Sequence, residues 1–312
     1  MSVRGTMRNI DGRMRQRRGI ASAISCEGIG LHTGLNIRLR FLPSEPGSGI
    51  LFHRTDLGVV ISARYEYVVE SRLCTTIGDP TQSGASVATI EHLMAALSGL
   101  GIDDVVIEID GPEVPILDGS AAEFVFLLRC AGIVETDAPM QIIEVLKTIR
   151  VVEGMASAEL CPSEVGGAGL TVSLSIDFPD KVIGRQELSL QLDDMTFVTE
   201  LARARTFARV GDIETARAAG LARGGSLANA VVVDGGNVLN REGLRWDNEF
   251  VRHKLLDVVG DLALAGAPIH GRFVGTRTGH RLNNLLLHAL FADNANYRAV
   301  SWAPVSALAA VA

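Results

Sequence analysis

One stretch of the sequence carries three residues that could do chemistry at regular intervals. His253, Asp257 and Asp261 are each four residues apart, and four residues advance only about 40° around a helix, so they would line one narrow strip. An imidazole and a carboxylate one turn apart can bind the same metal ion. The stretch predicts a helix with Asp247 as its N-cap and Gly266 near its end. Taken alone, the spacing is more typical of a solvated helix edge with a His–Asp pair.

Two adjacent residues offer a second part of such a site. Glu91 and His92 fall in the first turn of a helix predicted from Ser86 to Gly99, with Thr89 as its cap. Adjacent helical side chains point about 100° apart, so the pair can flank one point as a base and a metal ligand. On this pair alone, a first-turn Glu favoured by the helix dipole beside an incidental His is the better interpretation.

Histidines on two glycine-containing segments complete the set. His280 lies in a predicted loop, Thr278–Asn284, and His32 lies in the turn Cys26–Gly34, where ligand contact and a plain turn histidine are equally good interpretations. With the two helices, the chain offers two His and one carboxylate as ligands, with a fourth position open. This is the pattern of a catalytic zinc site.

Sheets and helices must position these residues. Strands are predicted at Asn36–Phe41, Gly49–Arg54, Val59–Val69, Asp103–Asp110, Ile142–Val152, Ala158–Cys161, Thr171–Phe178, Ala230–Val233 and His270–Thr276. Further helices are predicted at Ser120–Gly132 (opened by a capping box), Met195–Ala202, Ile213–Ala222 and Leu285–Phe291, with a turn at Gly166–Gly169. Each half has several strands before two main helices, which indicates an α+β fold.

Composition limits the class of protein. The 312 residues suggest roughly two domains, and the 47% hydrophobic content excludes a disordered chain. No apolar run reaches the ~18–20 residues of a membrane span, and the N-terminal residues lack the apolar core typical of a signal peptide, so a cytoplasmic protein is expected, with transient contact at a membrane surface left open. The net charge of −7 argues against nucleic-acid binding. Four scattered cysteines argue against a disulfide framework.

Several motifs carry a resemblance to a known family. They are Thr89–Asp103, Pro115–Ser120, Ala204-Arg-Thr-Phe207, Glu249–Asp257 and Thr278–Asn284, in order along nearly the whole chain. In these motifs the sequence resembles the UDP-3-O-acyl-N-acetylglucosamine deacetylases, zinc amidases that commit bacteria to lipid A synthesis. The resemblance implies two α+β domains, each a sheet with a pair of helices, packed so that the helices are sandwiched between the sheets.

The resemblance also implies a role for each candidate residue. The zinc ligands would be His92, His253 and Asp257, with Fe²⁺ as an alternative metal in the cell. Glu91 would be the general base, and His280 would stabilise the oxyanion in its protonated form and protonate the leaving amine.

Other residues would support the reaction or contact the substrate. Asp261 would hold His280, and Thr206 would hydrogen-bond the oxyanion. The implied substrate contacts are Lys254 at the diphosphate, Phe207 along the substrate, Leu31 and His32 at the nucleotide end, and Cys74 close to the metal.

The domain division follows from the polar stretch Glu135–Met140 together with the resemblance. A disordered extension would occupy residues 1–15, followed by an α+β domain at 16–134 and another at 141–312. The second would carry an insert at about 203–233 that forms a passage for the acyl chain. Arg209 stands where the family often has an aromatic residue, which leaves the preferred acyl length open.

Three functional interpretations remain. The first is a monomeric deacetylase acting on UDP-3-O-(3-hydroxyacyl)-N-acetylglucosamine. The second is a catalytically silent binding protein on the same scaffold, which would be free to lose Glu91 or His280, although this chain has both. The third is a zinc hydrolase with another amide substrate, against which Lys254 and the His32 loop argue.

Overall fold

A computed structural model describes residues 16–82, 84–164 and 169–302. The predicted disordered extension at 1–15 and most of the predicted turn at Gly166–Gly169 lie outside these residues. In the described ranges strands and helices build several sheets packed against helices, which confirms the predicted α+β class.

The first half of the chain is rich in short strands. They are β1 (Arg18–Ile20), β2 (Ile24–Ile29), β3 (Asn36–Leu42), β4 (Ile50–Arg54), β5 (Val59–Ser62), β6 (Val68–Glu70), β7 (Thr76–Gly78), β8 (Ser86–Val87), β9 (Val105–Ile109) and β10 (Ile133–Glu135). The main sheet has the order β2-β3-β9-β4-β5, and β6, β7 and β8 form a small sheet beside it. Alternate residues of β3 are buried, so this sheet has one face in the core.

The second half builds another mixed sheet. Its strands are β11 (Met140–Val145), β12 (Ile149–Glu153), β13 (Ala156–Cys161), β14 (Leu170–Asp177), β15 (Arg185–Gln191), β16 (Phe207–Arg209), β17 (Val231–Asp234), β18 (Asn237–Val238), β19 (Ile269–Thr276) and β20 (Tyr297–Trp302). Strand β19 is central, pairing with β11, β13 and β14, while β16, β17 and β18 form a separate small sheet. Between β10 and β11 the chain passes from the β1–β10 pair to this second sheet.

The helices in the described ranges pack on one another and on the strands. They are α1 (Glu91–Gly99), α2 (Ala122–Ala131), α3 (Asp194–Thr196), α4 (Val210–Ala218), α5 (Glu249–Ala263) and α6 (His280–Phe291). Helix α1 packs on α5 and α2, and α5 packs on α6. On the outer sides, α2 contacts β2 of the first sheet and α6 contacts β12 and β13 of the second. No helix in the described ranges is long and apolar enough to cross a membrane.

Gly260 allows α1 and α5 to approach closely at the point that matters most for function. A Cβ added there would lie 2.0 Å from the backbone oxygen of Glu91, in the first turn of α1. Backbone cannot yield as a flexible side chain can, so only glycine fits. This close contact determines where Glu91 and His92 lie along α5 relative to Asp257 and Asp261.

Gly260→Ala is therefore expected to destabilise the fold by about 1–3 kcal/mol, the usual range for overpacking. The matched control is Gly211→Ala in α4, where an added Cβ meets no atom within 4 Å, so the helix preference for alanine should leave stability unchanged or slightly raised. Urea denaturation of both variants measures the difference. Equal midpoints for the two variants would contradict the close approach.

Two strand predictions are wrong because distant partners interrupt the strand. The predicted strand Val59–Val69 ends at Ser62, and a 3₁₀ turn follows at Tyr65–Tyr67. The Tyr65 N–H donates to the Leu264 carbonyl at 2.9 Å, which draws the chain toward α5. The predicted strand Ile142–Val152 is likewise two strands, broken where Leu146 N–H donates to the Asn296 carbonyl. Strand β15 was not predicted at all.

Several predicted helix starts are also wrong. Thr89 is no cap: it has φ +57° and lies before α1, which begins at Glu91. The N-cap of α5 is Asn248 rather than Asp247. Ser120 and Glu123 form no capping box, since the Ser120 hydroxyl donates to Asp118 at 2.7 Å.

Two predictions misplaced whole turns of helix. Helix α4 occupies Val210–Ala218 rather than Ile213–Ala222. The predicted loop Thr278–Asn284 is mostly helix, because α6 begins at His280 directly after an extended Gly279. His280 is therefore held by a helix rather than by a mobile glycine loop.

Candidate active site

The structure brings nearly all predicted site residues to one cavity of about 220 Å³. Its lining includes every predicted site residue except Asp261, which lies directly behind His280. The residues that line it from the predicted set are Leu31, His32, Cys74, Glu91, His92, Thr206, Phe207, His253, Lys254, Asp257 and His280. Segments from both halves of the chain thus meet at one point.

Three side chains form a cluster that can hold a metal ion. One ligand atom each of His92, His253 and Asp257 lies within 4.8 Å of the other two, and all three residues are buried. Oδ1 of Asp257 is 3.6 Å from His92 Nε2 and 3.4 Å from His253 Nε2. Within the part of the chain that is described, this buried oxygen has no hydrogen-bond partner. An orphaned carboxylate oxygen facing two imidazole nitrogens fits a divalent cation.

The protonation states of the cluster suit metal binding. Burial lowers the pKa of His253 to about 4, so its ring is neutral at pH 7. Its Nδ1 lies 3.0 Å from the Ala204 carbonyl oxygen, which can only accept, so Nε2 keeps its lone pair. Burial opposes ionisation of Asp257, but His253 and Lys254 outweigh it and hold the pKa of this carboxyl well below its usual range. The donors therefore include a neutral imidazole, that of His253, and an ionised carboxylate, that of Asp257.

A carboxylate and a histidine face each other beside the cluster. Oε1 of Glu91 lies 4.0 Å from Nε2 of His280, and both residues are buried. Burial raises the pKa of Glu91, which makes it a stronger base. Burial alone would lower the pKa of His280, but the charges of Asp261 and Glu91 raise it to about 9. At neutral pH His280 is thus an imidazolium that faces the Glu91 carboxyl group.

Asp261 anchors His280 from the side away from the cavity. Its Oδ2 accepts from His280 Nδ1 at 2.9 Å and from the Asn283 amide at 2.8 Å, while Oδ1 accepts from the Thr75 hydroxyl at 2.6 Å. The backbone N–H of Thr75 donates to Glu91 at 3.0 Å. Thr75 and Asn283 were not predicted as site residues. In the sequence, only their closeness to Cys74 and His280, which were predicted, could have indicated them.

The predicted strip of α5 is buried rather than solvated. His253, Asp257 and Asp261 are 2–3% exposed, because α1 covers them. Lys254 donates from Nζ to Asp257 Oδ2 at 2.8 Å, which occupies the oxygen that does not face the histidines. This ammonium group lies at the cavity wall, where an anionic ligand could also reach it.

One short segment brings Thr206 and Phe207 to the cavity. The Thr206 N–H donates to the Gly119 carbonyl at 2.7 Å, which ties the segment to the first half of the chain. The ring of Phe207 packs edge-on against Phe250 at 5.0 Å between centroids and lies 6.3 Å from the His253 ring. Phe207 thus forms an apolar wall next to the metal cluster.

The remaining predicted contacts lie at the cavity edge. Both ring nitrogens of His32 are buried and lack a hydrogen-bond partner among the described residues, and burial lowers the pKa of the ring. Gly224 N–H donates to the Leu31 carbonyl at 3.0 Å, so the residues after α4 hold this loop. Burial raises the pKa of the Cys74 thiol to about 12, so the free side chain is a neutral thiol at pH 7.

Two buried carboxylates that hold the site were missed from the sequence. Glu113, fully buried, binds the loop containing His32 and also Thr89. Glu249, also fully buried, pairs with Arg205 next to Thr206. Neither had a spacing signal, because their partners are distant in sequence.

Comparison with known proteins agrees with this geometry. A protein-family model described as UDP-3-O-acyl N-acetylglycosamine deacetylase matches residues 17–292. A Myxococcus xanthus protein named UDP-3-O-acyl-N-acetylglucosamine deacetylase is 45% identical over 286 residues, covering 91% of this chain and 89% of that protein. Proteins of the same name from Acidithiobacillus ferrooxidans and Shewanella denitrificans are 47% and 46% identical, covering 89% and 92% of this chain and 90% and 93% of their own lengths. The chain is a hydrolytic enzyme and belongs to the UDP-3-O-acyl-N-acetylglucosamine deacetylase family.

Proposed function

We propose that the protein hydrolyses the N-acetyl group of UDP-3-O-(3-hydroxyacyl)-N-acetylglucosamine in a zinc-dependent reaction. The amide C–N bond breaks, water supplies the oxygen of the released acetate, and the sugar keeps a free amine. In bacteria this is the committed step of lipid A biosynthesis. The observation that carries the proposal is the buried Asp257 oxygen without a partner, facing two imidazoles beside the Glu91–His280 pair.

His92, His253 and Asp257 would hold the zinc ion. Bound Zn²⁺ would lower the pKa of water toward ~7 and polarise the amide carbonyl. Fe²⁺ accepts the same donors and could replace zinc in the cell. Neutral imidazoles and an ionised carboxylate are the forms in which these side chains bind such ions.

The protein's own groups would manage the protons. Glu91 would take a proton from the attacking water, as its raised pKa favours. His280, charged at neutral pH, would donate a hydrogen bond to the developing oxyanion and then give its proton to the departing amine. Asp261 would keep Nδ1 of His280 protonated, so that Nε2 faces the reaction.

Other cavity residues would position the substrate. The Thr206 hydroxyl would donate to the oxyanion, Lys254 would meet the diphosphate, and the unpaired ring of His32 would contact the nucleotide end. Leu31 would lie with His32 at the nucleotide end, Cys74 would lie close to the metal, and Phe207 would lie along the substrate. The insert at about 203–233, which contains α4, would border the acyl chain of the substrate. Arg209, whose guanidinium pairs with Asp180 at 2.5 Å, would narrow the entrance of the acyl passage.

We further propose that the enzyme works in the cytoplasm as a monomer, with transient contact at a membrane surface. The acyl chain of the substrate is the reason for that contact, because it partitions between a bilayer and the protein. The division into domains at 16–134 and 141–312 belongs to the same proposal.

The test compares two substrates on the purified, zinc-loaded protein. We expect acetate release from UDP-3-O-acyl-N-acetylglucosamine and at least ~10-fold lower kcat/KM on the same acylated sugar without UDP, the loss of one charge-assisted contact. Equal rates on both would point to another amide substrate. Tight UDP-sugar binding without turnover would point to a silent binding protein.

The pH profile should report His280. Since His280 must stay protonated and its pKa is raised to about 9, activity is expected to fall as pH rises through that value. Asp261→Asn removes one of the charges that raise this pKa, so the basic limb of the kcat profile should move to lower pH. Initial rates of acetate release between pH 6 and 10 measure the shift. A basic limb that does not move would contradict the assignment, and Tm recorded at each pH separates it from unfolding.

A further inference from the structure

We propose that Glu113 is a positioning residue that couples the ligand-contacting loop at His32 to the catalytic start of α1. Its side chain is fully buried, and both carboxylate oxygens are occupied. Oε1 accepts hydrogen bonds from the His32 N–H at 2.8 Å and the Thr89 hydroxyl at 3.0 Å. Oε2 accepts from the Thr33 N–H at 2.8 Å and the Thr33 hydroxyl at 2.7 Å. One carboxylate therefore joins two segments far apart in sequence.

On the loop side, Glu113 fixes the backbone that presents the His32 ring. A Cβ added at Gly30 would lie 2.4 Å from Glu113 Oε2, so glycine is needed for the carboxylate to enter the loop. Both ring nitrogens of His32 are buried at the cavity and unpaired among the described residues, so a ligand bound in the cavity can supply their partner. Holding the loop therefore acts on ligand binding.

On the helix side, Glu113 holds a strained residue just before Glu91. Thr89 is β-branched and has φ +57°, a left-handed conformation that such residues rarely adopt. Its hydroxyl bond to Glu113 keeps this turn in place, two residues before the proposed base. The backbone bridge between Ala88 and Glu113 strengthens the same junction. Holding this turn therefore acts on the catalytic step.

The inference rests on the proposed function. Because Glu113 holds the loop through Thr33 and the start of α1 through Thr89, kinetics of variants at these two threonines test the two contacts one at a time. Thr33→Val removes the loop-side hydroxyl bond to Glu113, together with the 3.3 Å bond that this hydroxyl accepts from the Leu35 N–H in the same loop, so we expect KM to rise about tenfold with kcat little changed, as for one hydrogen bond to a charged acceptor. Thr89→Val removes the helix-side bond to Glu113 and leaves the loop-side bonds of this carboxylate in place, so we expect kcat to fall about tenfold with KM little changed. Thr33→Ser and Thr89→Ser keep the hydroxyl and should restore each constant.

Glu113→Gln removes one acceptor oxygen and should change both constants together. Its matched control is Glu108→Gln on β9, whose carboxylate pairs with Arg40 away from the cavity and should leave both constants at wild-type values. Calorimetric titration of UDP into the zinc-free protein supplies a readout that does not depend on turnover. There we expect weaker binding for Thr33→Val and Glu113→Gln, and unchanged binding for Thr89→Val.

The outcomes separate this inference from the proposed function. A wild-type protein that releases no acetate overturns the function, while the UDP titration still decides whether Glu113 positions the loop. Threonine variants that shift Tm but leave KM, kcat and the UDP Kd unchanged reduce Glu113 to a purely structural role. If Glu113→Gln does not fold, the two threonine variants and their serine partners carry the test.

Discussion

Glu91→Gln is expected to lower kcat by about 10²–10⁴-fold, the usual contribution of a general base. Glutamine keeps the shape and the oxygen that accepts from the Thr75 N–H, but it cannot take a proton. The residue is only 4% exposed, so a base from the solvent has no easy access to the reacting water. Burial also raises the pKa of the Glu91 carboxyl, which makes it a stronger base than water or the glutamine of the variant. Steady-state kinetics of acetate release on zinc-loaded protein measures the loss.

The zinc content and KM of Glu91→Gln distinguish a catalytic role of Glu91 as a base from a structural role in the first turn of α1. A base acts only in the transition state, so KM and the bound metal should stay at wild-type levels while kcat falls. If Glu91 served only the helix dipole of α1, the variant would lose stability and keep its kcat. A variant that retains more than about a tenth of wild-type kcat would rule out proton transfer by Glu91.

The parts of the site written into local spacing could be predicted from the sequence. His253, Asp257 and Asp261 are positioned by the helical period alone, so their common face follows from any helix over that stretch. Glu91 and His92 follow from the helix start, although α1 begins later than predicted. Their convergence could be inferred only through the family resemblance, since spacing says nothing about which helix packs on α5.

The parts that depend on distant partners could not be predicted. Thr89 looked like a cap because capping residues and residues that bind distant carboxylates are the same types. The strand after Val59 ends early because Leu264 accepts a hydrogen bond that no local pattern encodes. Burial of the α5 strip likewise depends on Gly260, whose missing side chain gives no hydrophobic signal.

Glu249→Ala is expected to destabilise the protein by about 3–5 kcal/mol, the cost of leaving a buried partner uncompensated. Glu249 is the first residue of α5, fully buried, and accepts from the Arg205 backbone and guanidinium at 2.9–3.0 Å and from the Arg245 N–H at 2.6 Å. Burial opposes the charge, but these donors hold the pKa of Glu249 below its ordinary value. The stabilisation is therefore present above the unfolded pKa of about 4.3 and is lost as pH falls through the lowered folded value.

Urea denaturation at pH 7 and at acidic pH measures this effect, with Glu187→Ala as the matched control. Glu187 pairs with Arg185 on an exposed strand, and such a pair contributes about 0–1 kcal/mol. Near-equal stability of the two variants would show that the Arg205 guanidinium finds enough partners in Glu242 and the Gly243 carbonyl. Because Arg205 precedes Thr206, and the Ala204 carbonyl accepts from His253, loss of this pair should also loosen the cavity wall before the whole protein unfolds. Stability and catalysis then share one buried ion pair, and kcat of Glu249→Ala should fall at temperatures below its Tm.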